Sequence, residues 1–487
     1  MTAAQLRQSY DVVVLGSGLG GATAAHRLVN RGLKVLLVEQ GASLASEGDT
    51  SDPSRYILEV VPDRETPLNF IGGRTKFYGA ALYRFRESDF VERTLESGVS
   101  PVWPITYQTL APYYSAAEQI YKVHGASAGD PTDPRGSEPY PFPPVPYDPL
   151  VTKFVNRLER AGATTSAIPR GVDYTDGRCI NCPRCDGYLC LRSAKMDAET
   201  AAIRPALATG HLQVSMNTMC EKLVLDDTGV TIRACILLVE SQRVEVTARA
   251  IVVSGGMIGT TELLIRSKHE RHPKGVGNNS GQVGRNLAGH STGMIFPFVS
   301  LNKLPAVQTK SFAINTLYDQ TDDWPFPVGV IQLAGQTPFW QEASRAIRPI
   351  AKLVSEHCFS MFYMVEAPPS HGAGLVLDGD KVVGQTAPPH CLETFEHLRK
   401  HAVSLLRDAG YPALARKREP YLWHEVGTTR MGDDPDTSVV DPFGEVHGVK
   451  GLFIADAGVL PSAGAVNTGL TIAALALRTA DRIADSL

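Results

Sequence analysis

A chain of 487 residues exceeds what a single hydrophobic core normally organises, so more than one domain is expected. With 43% hydrophobic and 20% charged residues, a net charge of −4 and a pI near 6.4, it has no electrostatic reason to bind nucleic acid or an anionic membrane. Only nine residues precede the first predicted strand and no long apolar run appears, so a cytoplasmic role on small molecules is the expectation.

Residues 10–41, YDVVVLGSGLGGATAAHRLVNRGLKVLLVEQG, read as strand, turn, helix and strand. Val12–Leu15 form an apolar strand, and Gly16, Gly18 and Gly21 follow with the G-x-G-x-x-G spacing that lets backbone amides approach a pyrophosphate. Ala25 and Leu28 mark the apolar face of the helix, Gly32 ends it, and Val35–Val38 form the next strand. That strand delivers Glu39, about 20 residues beyond the glycines, where a carboxylate accepts a ribose hydroxyl. A dinucleotide is therefore expected, and the motif alone allows NAD or FAD.

Next comes a polar stretch over 42–66, which reads as a surface excursion. In FIGGRTKFYGAALYRF (70–85), glycines 72, 73 and 79 permit close backbone approach to a flat ligand. Eight prolines between Pro131 and Pro149 exclude regular helix and mark a connector, after which Leu150–Ala161 reads as a helix. Cys179, Cys182, Cys185 and Cys190 then fall within twelve residues, a density that suits an iron–sulfur cluster or zinc, while spacing alone does not separate those from reduced thiols. Cys220, Cys235, Cys358 and Cys391 read as small buried hydrophobes.

From Leu212, the segments LQVSMN, CEKLVLDD and TIRACILLVE suggest an antiparallel meander turning at Asp226–Gly229. Residues 248–267 repeat the strand, glycine turn and helix pattern. Residues 291–420 mix alternating segments such as HCFSMFYMVE and GLVLDGDKVV with a helix over Leu392–Ala409, and the last 37 residues run strand, polar loop and long apolar helix.

The N-terminal unit, WHEVGTTRMG (423–432) and the C-terminal segment together resemble the glucose–methanol–choline family of FAD-dependent oxidoreductases. GGRTKFYGA, AIRPAL and VGRNLAGH agree with further family signatures, so the resemblance spans nearly the whole chain. It implies an α/β protein, α+β overall, in which a Rossmann-like FAD-binding domain carries an inserted mixed-sheet substrate domain. The FAD domain is expected from 1–85, 190–290 and 440–487, and the substrate domain from 86–189 and 291–439.

The resemblance also implies site residues. His424 matches the family's catalytic base, and an imidazole titrating near neutrality suits removal of a hydroxyl proton. Asn467 matches the second catalytic position, where a neutral amide orients the hydroxyl without competing for its proton. Cofactor contacts are implied at Gly16, Gly18, Gly21, Glu39, Gln40, Gly73, Tyr78, Gly79, Ala80, Cys220, Gly255, Asp456, Ala457, Asn467 and Thr468. Tyr78-Gly79-Ala80 departs at two positions from the family's Asn-Gly-Gly flavin segment and lacks the histidine that some relatives attach to flavin, so non-covalent FAD is expected.

The expected reaction is oxidation of an alcohol to a carbonyl by hydride transfer to flavin N5. A sugar, glycoside, aminoglycoside or cyclitol is the first substrate class, with dioxygen or another electron acceptor. An aliphatic, aromatic or sterol alcohol, a non-redox lyase of the same family, and an electron-transfer module using the cysteines are the alternatives.

Overall fold

Val12, Val13 and Val14 have no exposed surface, so the first strand is covered on both faces, as parallel sheets are. The computed structural model describes residues 6, 9–44, 69–126, 129–182, 185–305, 307, 310–335, 340, 343–415 and 420–487; most of the excursion expected over 42–66 lies outside them. Strand β1 (Ser9–Leu15) leads through the glycine turn into helix α1 (Leu19–Asn30) and strand β2 (Val35–Val38). Gly32, at φ +82°, takes the left-handed turn that ends the helix.

The first sheet continues with β3 (Leu212–Ser215), β4 (Thr218–Leu225), β5 (Ile232–Val239) and β6 (Gln242–Val253). β4, β5 and β6 form the expected antiparallel meander, turning at Asp226–Gly229. LQVS departs from that expectation: β3 pairs in parallel with β2 instead. β6 is long enough to serve twice, pairing antiparallel with β5 through Gln242–Thr247 and parallel with β1 through Thr247–Val253. The strand order is β3-β2-β1-β6-β5-β4, and helix α2 (Gly256–Arg266) follows β6 across its own glycine turn.

The second sheet is antiparallel. It contains β7 (Ala288–Pro297), β8 (Phe312–Ile314), β9 (Val330–Gly335), β10 (Ser360–Ala367), β11 (Ala413–Ala415) and β12 (Tyr421–Val426), with Ser166–Ala167 at the β8 edge. β11 and β12 pair successively along the same edge of β7. Helices Pro149–Arg160 and Leu392–Asp408 bury Phe154, Leu158, Phe395 and Leu398 in the core of this sheet. GLVLDGDKVV forms a separate hairpin of Gly374–Asp378 and Lys381–Thr386.

The chain then returns to the first sheet as β13 (Leu452–Ile454), parallel to β6, and ends in helix α3 (Gly469–Ser486). Ala476, Ala480 and Ile483 of α3 share a core with Ala22, Ala25 and Leu28 of α1. Asp481 receives Arg27 at 2.8 Å and Arg31 at 2.9 Å. On α3's other side lies helix Tyr107–Ile120, so part of 86–189 packs on the first sheet while Ser166–Ala167 joins the second.

Gly20 carries the closest of these contacts: a Cβ there would lie 1.7 Å from the Ala455 carbonyl, whereas one at Gly18 would meet nothing within 4 Å. Gly20→Ala is expected to cost about 2 kcal/mol through overpacking, and Gly18→Ala to leave stability nearly unchanged. Denaturant unfolding of the cofactor-free protein reads the difference, and equal midpoints for the two variants would contradict this packing.

Candidate active site

Helix α1 follows Gly18, which supplies no side-chain cap to its first amides, and a Cβ on Gly18 would meet nothing within 4 Å. This is the geometry by which a helix N-terminus receives a phosphate. Gly16, at φ +108°, lies where a Cβ would come 2.2 Å from the Ser254 carbonyl, and Gly21 packs on the Gly16 carbonyl. Gly73, at φ +53°, stacks against Gly18, while the Gly72 amide donates to Ser17 Oγ at 3.0 Å. The early glycine-rich segment is thus folded onto the first turn.

Glu39 is buried. Its Oε2 accepts from the Ser17 amide at 3.1 Å and from Ser17 Oγ at 2.5 Å, and its Oε1 accepts from the Gly41 amide at 2.9 Å. A carboxylate has about four lone-pair positions, so acceptor capacity remains at Oε1 for a ribose hydroxyl. Gln40 is exposed beside it. Asp456 caps the turn through Ala457: Oδ1 accepts from the Gly458 amide at 2.8 Å, and Oδ2 accepts from Thr260 Oγ1 at 2.5 Å. Thr260 also receives the Gly255 amide at 3.0 Å, which joins the two glycine turns. Thr468 precedes α3 without capping it. These residues fit a dinucleotide diphosphate. Cys220 stands on β4, with its thiol buried in the core and donating to the Lys222 carbonyl at 3.7 Å.

The reacting residues come from the second sheet and the returning chain. β12 carries one more residue than β7 between their paired positions, since Ala288 faces Val426 and His290 faces Trp423. This bulge holds His424 at φ +54°, a conformation that costs a residue with a Cβ energy and persists where the surroundings enforce it. Gly289 admits the bulge, because a Cβ there would lie 2.8 Å from the Trp423 carbonyl. The result is that His424 faces His290, with the two Nδ1 atoms 2.9 Å apart. His424 Nε2 lies 3.3 Å from Asn467 Nδ2.

Proton positions follow from the partners. His290 Nε2 lies 3.2 Å from the Ala463 carbonyl, which only accepts, so Nε2 carries the proton. Burial pushes the pKa of His290 down to about 4, which keeps it neutral and leaves a lone pair on Nδ1. His424 fills that lone pair with its own Nδ1–H. Its Nε2 is thereby left unprotonated, facing the Asn467 amide.

Burial, reinforced by the neighbouring His290 ring and by the charges of Lys310 and Arg74, holds His424 well below the ordinary imidazole range. The loop under the pair is fixed as well. Tyr318 Oη donates to Asp89 at 2.8 Å and accepts from the Ala465 amide at 3.0 Å, and Trp103 Nε1 donates to Ser462 Oγ at 2.8 Å.

The four cysteines of the 179–190 segment do not converge among the described residues. None of the four is in a disulfide, and among the described residues no three His, Cys, Asp or Glu side chains are placed to hold a metal ion. Cys179 Sγ donates to Asn181 Oδ1 at 3.9 Å, Cys185 Sγ accepts from Arg170 at 3.5 Å, and Cys190 Sγ accepts from the Lys195 amide at 3.4 Å. The physical reason is that backbone contacts shape this segment. Gly187 N donates to the Phe77 carbonyl at 2.7 Å, and buried Lys195 Nζ donates to the carbonyls of Cys185, Tyr188 and Tyr78 at 2.9, 2.6 and 3.1 Å. The segment lies as a cover over Tyr78–Ala80, with Ala80 at φ +57°, and presents Asp186 to the site.

Models of the GMC oxidoreductase family match residues 69–292 and 393–476, and an FAD binding domain model matches residues 11–54. Paromamine 6'-oxidase of Streptomyces fradiae is 30% identical, with 98% of this chain and 92% of that protein covered. The chain belongs to the GMC oxidoreductase family. A second relative, 6'''-hydroxyparomomycin C oxidase of Streptomyces lividus, is also 30% identical over 98% of this chain and 92% of its own length. The crystal structure of pyridoxine 4-oxidase from Mesorbium loti has the same fold, with a TM-score of 0.67 at 18% identity over 97% of this chain and 98% of that one. This GMC oxidoreductase is accordingly an FAD-dependent alcohol oxidoreductase.

His290 was absent from the site expected from sequence, although the motif VGRNLAGH ends on it. Gln332, which reaches Asn467 from β9, and Lys310, which reaches Gln332 from the turn before β8, carried no motif. Because His424 is held below its ordinary pKa of about 6.5, it stays a free base through neutral pH and protonates only on acidification below that value. The acid limb of kcat/KM is expected below pH 6.5, and a limb above about 7 would contradict this environment.

Proposed function

We propose that this enzyme oxidises a hydroxyl-bearing carbon of a sugar-type alcohol, with an amino sugar as the first candidate, using non-covalently bound FAD. The observation that carries the reading is the unprotonated Nε2 of His424 beside Asn467 Nδ2 at 3.3 Å, with the other ring nitrogen tied to His290. FAD, when bound, would supply the acceptor for the hydride leaving the alcohol carbon. His424 Nε2 takes the hydroxyl proton, Asn467 Nδ2 donates to the same oxygen, and His290 keeps the ring from turning. The residues that would hold the cofactor are the first turn of α1, Glu39 and the 456–468 segment, and Tyr78-Gly79-Ala80 offers no histidine for covalent attachment.

One observation supports a polyhydroxylated substrate over a sterol or aliphatic one. The two relatives at 30% identity are named as oxidases of paromamine and 6'''-hydroxyparomomycin C. Dioxygen or another acceptor reoxidises the flavin.

Anaerobic mixing of the FAD-loaded enzyme with a panel of amino sugars, glycosides, cyclitols and simple alcohols is expected to bleach the flavin absorbance fastest with the amino sugars. His424→Ala is expected to slow that bleaching by about three orders of magnitude. Persistent oxidised flavin across the panel, or unchanged bleaching in the variant, would overturn the reading.

A further inference from the structure

An asparagine amide has two ends of nearly the same size and opposite hydrogen-bonding character. Asn467 aids removal of a hydroxyl proton only if its N–H group faces the reacting oxygen, because its carbonyl would set an acceptor against the His424 lone pair. The His424 contact does not decide the matter alone, since that ring changes its protonation during the reaction. Something else must choose the end.

The choice is made on the far side of Asn467. Gln332 Nε2 donates to Asn467 Oδ1 at 3.0 Å, and Lys310 Nζ donates to Gln332 Oε1 at 3.2 Å. Gln332 alone would pass on either orientation. An ammonium has donors and no acceptor, so it turns the Gln332 carbonyl toward itself, which turns the Gln332 amide toward Asn467 and the Asn467 amide toward His424. Gln332 has no exposed surface, Lys310 5% and Asn467 9%, so bulk water does not reset these groups.

Lys310 is a costly residue to bury, and the fold makes several provisions for it. It sits at φ +52°, with its amide donating to the Leu333 carbonyl at 2.9 Å. Its ammonium lies 3.7 Å from Asp186 Oδ2 and 4.3 Å from the Phe362 ring centroid. Gly79 makes room for the stem, because a Cβ there would come 2.8 Å from Lys310 Cγ. The backbone hydrogen bond and the packing of the stem on Gly79 need no cation, and an apolar side chain of the same length would fill that space without desolvating a charge.

We propose that Lys310 and Gln332 are positioning residues for alcohol oxidation: they fix the direction of the Asn467 amide so that Nδ2, and not Oδ1, faces the reacting oxygen. The proposal rests on the reading of His424 as the base. It assigns a function to a lysine that touches neither His424 nor Asn467 directly.

The test is a double-mutant cycle on the FAD-loaded enzyme with the best substrate from the panel. Lys310→Met and Gln332→Met are each expected to lower kcat about ten-fold, with KM changed less than about two-fold. The double variant is expected to fall no more than about two-fold below the worse single, since either change breaks the same chain. Lys310→Arg keeps the donors and is expected to recover most of the rate.

Gln332→Glu separates positioning from mere support of Lys310. Glutamate holds the ammonium at least as well but has no N–H for Asn467, so its kcat is expected to fall as far as that of Gln332→Met, with FAD content and unfolding midpoint near the parent's. Normal kcat in Lys310→Met, losses that multiply in the double variant, or wild-type kcat in Gln332→Glu would overturn the proposal. His424→Ala is measured alongside: full turnover there removes the underlying reading, whereas dependence on His424 with normal kcat in Lys310→Met removes only this inference.

Discussion

The short contact between the Nδ1 atoms of His290 and His424 is the constraint on which the site depends. It joins neighbouring strands of the second sheet, and through His290 Nε2 it reaches the Ala463 carbonyl on the chain returning to the first sheet. A hydrogen bond between two neutral imidazoles has a direction, and the carbonyl at one end sets it. The lone pair at the other end therefore points where Asn467 waits. Glycine placement makes the contact possible: Gly289 lets β12 bulge, and the bulge turns His424 toward its partner.

Several unfavourable local features meet here. His424 and Lys310 both sit at positive φ, His290 is fully buried, and a buried ammonium stands beside a single carboxylate at 3.7 Å. Each costs free energy that the two hydrophobic cores must offset. Together they make one ordered chain of polar groups, from Asp186 and Lys310 through Gln332 and Asn467 to His424, His290 and Ala463. Every member has its partner, which is the condition under which a buried polar network rigidifies a site.

Much of this was legible in the chain itself. The strand, glycine turn and helix at 10–41 follow from periodicity and glycine spacing, because parallel strands are apolar on both faces and a phosphate-binding turn excludes side chains. His424 and Asn467 stood in family-like motifs. LQVS was misplaced because a four-residue apolar strand does not encode which neighbour it pairs with, and β2 offered a parallel edge. Lys310 and Gln332 were invisible because their roles arise from tertiary approach across β8, β9 and the 463–468 loop. The cysteine spacing stands apart: among the described residues the thiols do not converge, and Lys195 and Gly187 hold the backbone of that segment through carbonyl and amide contacts.

The central claim is that His424 is a neutral imidazole with its proton on Nδ1 and its lone pair on Nε2. Nitrogen-15 NMR of the histidine-labelled enzyme at neutral pH, with His424 assigned by comparison with His424→Gln, reads the protonation of both ring nitrogens directly. The account predicts a protonated Nδ1 and an unprotonated Nε2. A His424 signal showing the Nε2–H tautomer, or an imidazolium, would contradict it.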